Sequence, residues 1–93
     1  MTEKLADAEG AQTVRCYPMA GLVYIYRLAY TAGGHPYITA EAEDENGVRR
    51  ERSGLFPRDG RLARDFLAFL ARHEVSPYTV VEIYDEFLTL HLR

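Results

Sequence analysis

Residues 22–31 read LVYIYRLAYT. Most of this run is β-branched or aromatic, the side chains that suit the pleated surface of a sheet. It predicts a strand, apolar enough to be a central one. Ala32-Gly33-Gly34-His35-Pro36 follows, where glycine tolerates positive φ and proline cannot continue a ladder, so the chain is expected to turn there. Over residues 37–44, Ile38, Ala40 and Ala42 alternate with Thr39, Glu41 and Glu43, which is the two-residue period of a strand with one wet face. Asn46-Gly47 is a strong hairpin signal, because both central positions of a type I′ turn take positive φ. A third strand is expected over residues 48–55.

A two-residue loop at Asn46-Gly47 sets Glu43 opposite Arg50 and Glu41 opposite Arg52 on one face. The other face then carries Ala42 with Glu51, Ala40 with Ser53 and Ile38 with Leu55. For the first hairpin, a three-residue loop over Gly33-Gly34-His35 pairs Tyr30 with Ile38, Leu28 with Ala40 and Tyr26 with Ala42. That register turns the tyrosines inward against small residues and aligns Arg27, Glu41 and Arg52 on the outer face. A slip of one residue would turn Tyr24, Tyr26 and Tyr30 outward instead, since side chains alternate strictly along a strand. The match of large against small side chains favours the first register.

Beyond the strands, Leu62, Phe66, Phe69 and Leu70 form one stripe of helical period, and Val80, Val81, Tyr84, Phe87 and Leu88 form another. Asp59 is placed to cap the first helix. Ser76 followed by Pro77 suits the start of the second, with Thr79 and Glu82 as a rival capping box three residues later. Residues 1–20 are small and polar and read as a flexible N-terminal arm, and residues 21–93 as a single domain. The expected fold is α+β: a three-stranded antiparallel meander with two C-terminal helices packed on one face, in the order β-β-β-α-α.

This pattern resembles a small family of bacterial proteins, mostly from Firmicutes, that carries no assigned activity. The resemblance spans roughly residues 22–88. Its most specific part is Val75-Ser76-Pro77 followed by the helix Val80-Val81-Glu82-Ile83-Tyr84-Asp85-Glu86-Phe87-Leu88, with Asp85-Glu86 where the family has Glu-Asp. It implies a bacterial source and no chemistry.

Composition narrows the function classes. Ninety-three residues, 47% of them hydrophobic and 27% charged, make one small globular domain. One cysteine, Cys16, allows no internal disulfide and suits a reducing cytoplasm. No stretch is apolar enough to span a bilayer, and the N-terminus lacks the apolar core of a signal peptide, so no membrane association is expected. A net charge of −3 is too balanced to mark a nucleic-acid partner.

Few residues in the chain have the spacing that chemistry requires. His73-Glu74 begins like a zinc-protease helix motif, but Pro77 stands where the second histidine must be. His35, His73 and His91 are spaced poorly for shared ligation, so no metal and no cofactor is expected. Among candidate nucleophiles, Ser53, Ser76 and Cys16, none lies in a nucleophile elbow, and no catalytic residue is assigned. A domain of this size also leaves little room for a ligand cavity. What remains is surface. Arg27, Glu41, Glu43, Arg50 and Arg52 on the sheet, and Glu82, Asp85 and Glu86 on the second helix, are the candidate interaction residues. They point to a non-catalytic protein-binding or adaptor module with an unknown protein partner. A free strand edge makes a homodimer the next expectation. Weak single-stranded nucleic-acid binding through an Arg/Tyr sheet face is the alternative, disfavoured by the pairing of those arginines with glutamates.

Overall fold

The computed structural model describes residues 11–91, and of Arg50 only the main chain. Four strands, β1 (Gln12–Met19), β2 (Leu22–Tyr30), β3 (Pro36–Asp44) and β4 (Arg49–Leu55), make one antiparallel sheet in the order β1-β2-β3-β4. Helix α1 (Gly60–His73), a 3₁₀ turn (Pro77–Thr79) and helix α2 (Val80–His91) follow. The α+β class and the two C-terminal helices are as expected, but the sheet has four strands rather than three. Residues 12–19, read as part of a loose arm, are the extra one. Residues 1–10 of that arm lie outside the described residues.

The signal for β1 was faint for a physical reason. Val14 and Cys16 face the core while Thr13, Arg15 and Tyr17 face away, a two-residue period too short to stand out beside Pro18 and a bulge between Cys16 and Met19. Gly21, at φ 77°, closes the turn into β2. With β1 on one side and β3 on the other, β2 is a central strand, as its apolar density implies.

The registers hold the expected faces but differ in detail. A loop over residues 31–35, closed by Thr31 N–H donating to His35 O (2.8 Å), is longer than the three-residue loop expected. Tyr30 therefore opposes Pro36, and Leu28, Tyr26 and Tyr24 oppose Ile38, Ala40 and Ala42. The shift is two residues, so the tyrosines still point inward, and Tyr26 still meets an alanine. At the second hairpin Glu41 opposes Arg52, Ala42 opposes Glu51 and Ile38 opposes Leu55, as expected. Nearer the turn, however, the loop is Glu45-Asn46-Gly47, with Gly47 at φ 78° and Asp44 N–H donating to Val48 O (3.0 Å). A bulge follows, and Arg49 rather than Arg50 stands opposite Glu43. This is the three-residue hairpin in which a type I turn is completed by a left-handed glycine.

The core lies between the inner sheet face and the helices. Tyr26, Leu28, Ile38 and Ala40 pack under Leu62, Phe66, Leu67 and Leu70 of α1 and Val80 and Phe87 of α2. Phe66 sits at the junction, with its ring 4.9 Å from that of Tyr84 and 5.0 Å from that of Phe87. Burying a side chain of this size contributes about 1.5–3 kcal/mol, so the two helical stripes account for much of the fold's stability. Val81, counted in the second stripe, is exposed. Asp59 caps α1, accepting from Leu62 N–H at 2.9 Å. Ser76 caps the 3₁₀ turn by accepting from Tyr78 N–H, and the regular helix begins at Val80, directly after Thr79, at the later of the two expected starts. Among the described residues no helix is long and apolar enough to cross a membrane.

Candidate functional site

The face of the sheet turned away from the helices has no helix or strand packed on it among the described residues. Thr13, Arg15 and Tyr17 of β1 lie on it, with Val23, Ile25 and Arg27 of β2, Thr39, Glu41 and Glu43 of β3, and Arg49 and Arg52 of β4. At its centre Glu41 is only 4% exposed, although it is charged and on an outer face. Three arginines explain this. Arg27 Nη1 lies 3.0 Å from Oε1, while Arg49 Nη2 and Arg52 Nε lie 3.4 and 3.6 Å from Oε2. A carboxylate can be taken out of water when cationic donors replace the solvent, and here each oxygen has its own.

Three strands assemble this cluster. Arg52 faces Glu41 directly across the β3–β4 ladder. Arg27 opposes Thr39 and reaches Glu41 diagonally, correcting the direct alignment expected from the sequence. Diagonal neighbours in a sheet are ~7–8 Å apart at Cα, within reach of a long side chain. Arg49 was not among the expected contact residues. It joins because the bulge moves it one place along the ladder, and hairpins built on Asn-Gly allow that three-residue alternative. The expected Glu43–Arg50 pairing is replaced by Glu43–Arg49. Glu82, Asp85 and Glu86 lie exposed on α2, in the helix layer, and do not join the arginines.

At the far end of the same face Phe56 is 71% exposed, with its ring 6.0 Å from that of Tyr37. Gly54, between Arg52 and Phe56, presents no side chain. At the opposite end, beside the β1–β2 turn, an open groove of about 500 Å³ is bordered by Tyr17, Met19, Val23, Asp44 and Glu45. It is larger than the size of the chain suggested. A second groove, about 280 Å³, runs between α1 and α2, where His91 Nε2 lies 3.3 Å from Asp65 Oδ2 and stacks on Phe87.

The inner face holds the one thiol. Cys16 donates to Tyr26 Oη at 3.7 Å, and Tyr26 Oη donates to Val75 O at 2.6 Å. Burial pushes the Cys16 thiol up from its ordinary value. A thiol so placed is a poor nucleophile at neutral pH. Among the described residues no three of His, Cys, Asp and Glu come together as a group that could hold a metal ion.

Fold and site together define a two-layer α+β domain with an arginine-rich sheet face. Compared with protein-family models, curated proteins and solved structures, the chain matches none.

Proposed function

We propose that this chain is a non-catalytic binding module that receives an acidic segment of a partner protein on the helix-free face of its sheet. The arrangement of Arg27, Arg49 and Arg52 around Glu41 carries this reading. With Glu43 opposite Arg49 on the same face, three guanidinium groups stand against two carboxylates, an excess of one positive charge at the cluster. Each guanidinium has five N–H donors in a rigid fork, and one carboxylate engages only a few of them. The arginine side chains are 40–55% exposed, so the remaining donors are open to solvent. Glu41 holds them in place before any partner arrives, which lowers the ordering cost of binding. The single half-buried thiol fits a reducing compartment such as the cytoplasm.

One observation favours a second reading, single-stranded nucleic acid. Phe56 and Tyr37 form an exposed aromatic platform on the face that carries the arginines, and bases stack on such platforms beside cationic side chains.

Fluorescence anisotropy with a labelled Glu/Asp-rich peptide and a labelled single-stranded oligonucleotide, each at two salt concentrations, separates the two. The first reading expects salt-sensitive peptide binding that Arg52→Glu abolishes. Tighter binding of the oligonucleotide, weakened by Phe56→Ala, would establish the second. Binding of neither probe at tens of micromolar in low salt would overturn both.

A further inference from the structure

The two edges of this sheet are built differently. An edge strand carries main-chain N–H and C=O groups without partners, and proteins usually block such edges with charge, bulges or covering elements. On β4 all three devices are present. The strand carries Arg49, Glu51 and Arg52, it bulges opposite Ala42–Glu43, and Ser53 Oγ donates to Pro77 O of the 3₁₀ turn at 2.7 Å. By contrast β1 is eight residues long, its one charged side chain is Arg15, and its bulge and Pro18 lie at one end. From Gln12 to Cys16 its pairing with β2 is regular, and no described element lies beyond it. Val14 and Cys16 pack at the margin of the core yet remain half-buried, and Tyr17 on the other face is 71% exposed.

We propose that β1 pairs antiparallel with β1 of a second copy of the chain about a two-fold axis through Val14, joining the two sheets into one. An axis normal to the sheet keeps both helix layers on one side and opposes residues of the same face, so the axis must pass through a residue pair. Four centres are available. Centring on Thr13 leaves Cys16 and Tyr17 outside the ladder. Centring on Arg15 sets that arginine against its own copy, and like charges directly opposed are destabilising. Centring on Cys16 draws the bulge and Pro18, which has no N–H to donate, into the ladder.

Centring on Val14 avoids all of these faults. It opposes Thr13 with Arg15, Gln12 with Cys16 and Ala11 with Tyr17. Val14 meets its copy and completes the half-buried margin of each core, and the exposed ring of Tyr17 lies over a small residue. The two Arg15 side chains are then diagonal, ~7–8 Å apart, with their charged ends in solvent. Ionic screening over about 8 Å at physiological salt makes that repulsion weak. The occupant is a second copy because the same seven residues, 11–17, supply both halves of the match. This inference does not depend on what binds the arginine face.

Sedimentation velocity on the full chain from micromolar to millimolar concentration, with hydrogen exchange of the intact protein over the same range, tests it. The expected result is a species of twice the 10.6 kDa chain mass, with amide protection of residues 12–16 rising as it forms. Directly opposed Cβ atoms are about 4.5–5.5 Å apart, close to disulfide distance. The double variant Val14→Cys, Cys16→Ser should therefore cross-link under mild oxidant, while the native chain, with Cys16 opposite Gln12, should not. A single-chain mass at millimolar concentration overturns the proposal. So does a dimer without concentration-dependent protection in β1, or one that cross-links through native Cys16.

Discussion

The hydroxyl of Tyr26 donates to the main-chain carbonyl of Val75, 2.6 Å away in space and 49 residues on in sequence. Tyr26 is fully buried on the central strand β2, and Val75 follows the end of α1. Glu74, left-handed at φ 49°, ends that helix and turns the chain so that the Val75 carbonyl meets the sheet. One hydrogen bond thus joins the sheet to the link between the two helices. Tyr26→Phe keeps the ring and leaves a buried carbonyl without its donor, a loss of about 1–3 kcal/mol. Urea denaturation of the two proteins should show a lower midpoint at unchanged slope.

The same tyrosine makes the fold sensitive to alkali. Burial raises its pKa well above the ordinary value. The folded state therefore keeps its phenolic proton where the unfolded chain, titrating near about 10, has lost it. With fewer protons bound in the unfolded state, stability falls as pH rises, by about 1.4 kcal/mol per pH unit above about pH 10. Below that value the contribution of Tyr26 is fully present. Denaturation curves at pH 8, 10 and 11 should show this decline, and Tyr26→Phe should flatten it. An equal decline in the variant would assign it to other groups.

Glu41 holds three arginines that would otherwise repel one another. Glu41→Gln removes the charge and keeps the shape. Breaking a fully buried ion pair costs about 3–5 kcal/mol, but these arginines are half exposed and solvent screens them, so about 1–2 kcal/mol is expected. Thermal melts at low and high salt check this. The loss should shrink as added salt screens the unpaired arginines.

Asp59 accepts from Leu62 N–H at the start of α1, the helix that supplies most of the helical side of the core. Asp59→Ala should lower stability by about 0.5–2 kcal/mol. Asp59→Asn retains a capping oxygen and should recover most of that in the same melt.

Gly47 completes the β3–β4 turn at φ 78°, with open space where a Cβ would stand. The cost of Gly47→Ala is therefore conformational rather than steric, about 1 kcal/mol. Gly47→Asn, which tolerates the left-handed region better, should cost less. If the two substitutions cost the same, the turn does not depend on the left-handed conformation at this position.

Local signals in the chain specified β2, β3 and β4, both helices, the Asp59 cap and the inward face of the tyrosines. Each rests on periodicity or capping within a few residues, and such physics is written in the order of the side chains. The Glu41–Arg52 pair was legible for the same reason, since counting outward from a turn preserves the face of every residue. Other features depended on contacts distant in sequence. Residues 12–19 become a strand because β2 offers a ladder to a segment whose own period is short and interrupted by Pro18. Arg49 enters the Glu41 cluster because the three-residue turn and its bulge shift one strand against the other. Tyr26 finds Val75 only once α1 has packed on the sheet. The sequence by itself determined which faces of β2, β3 and β4 turn inward. Only the tertiary structure decided how many strands share the sheet and which arginines surround Glu41, because those follow from the energies of long-range pairing.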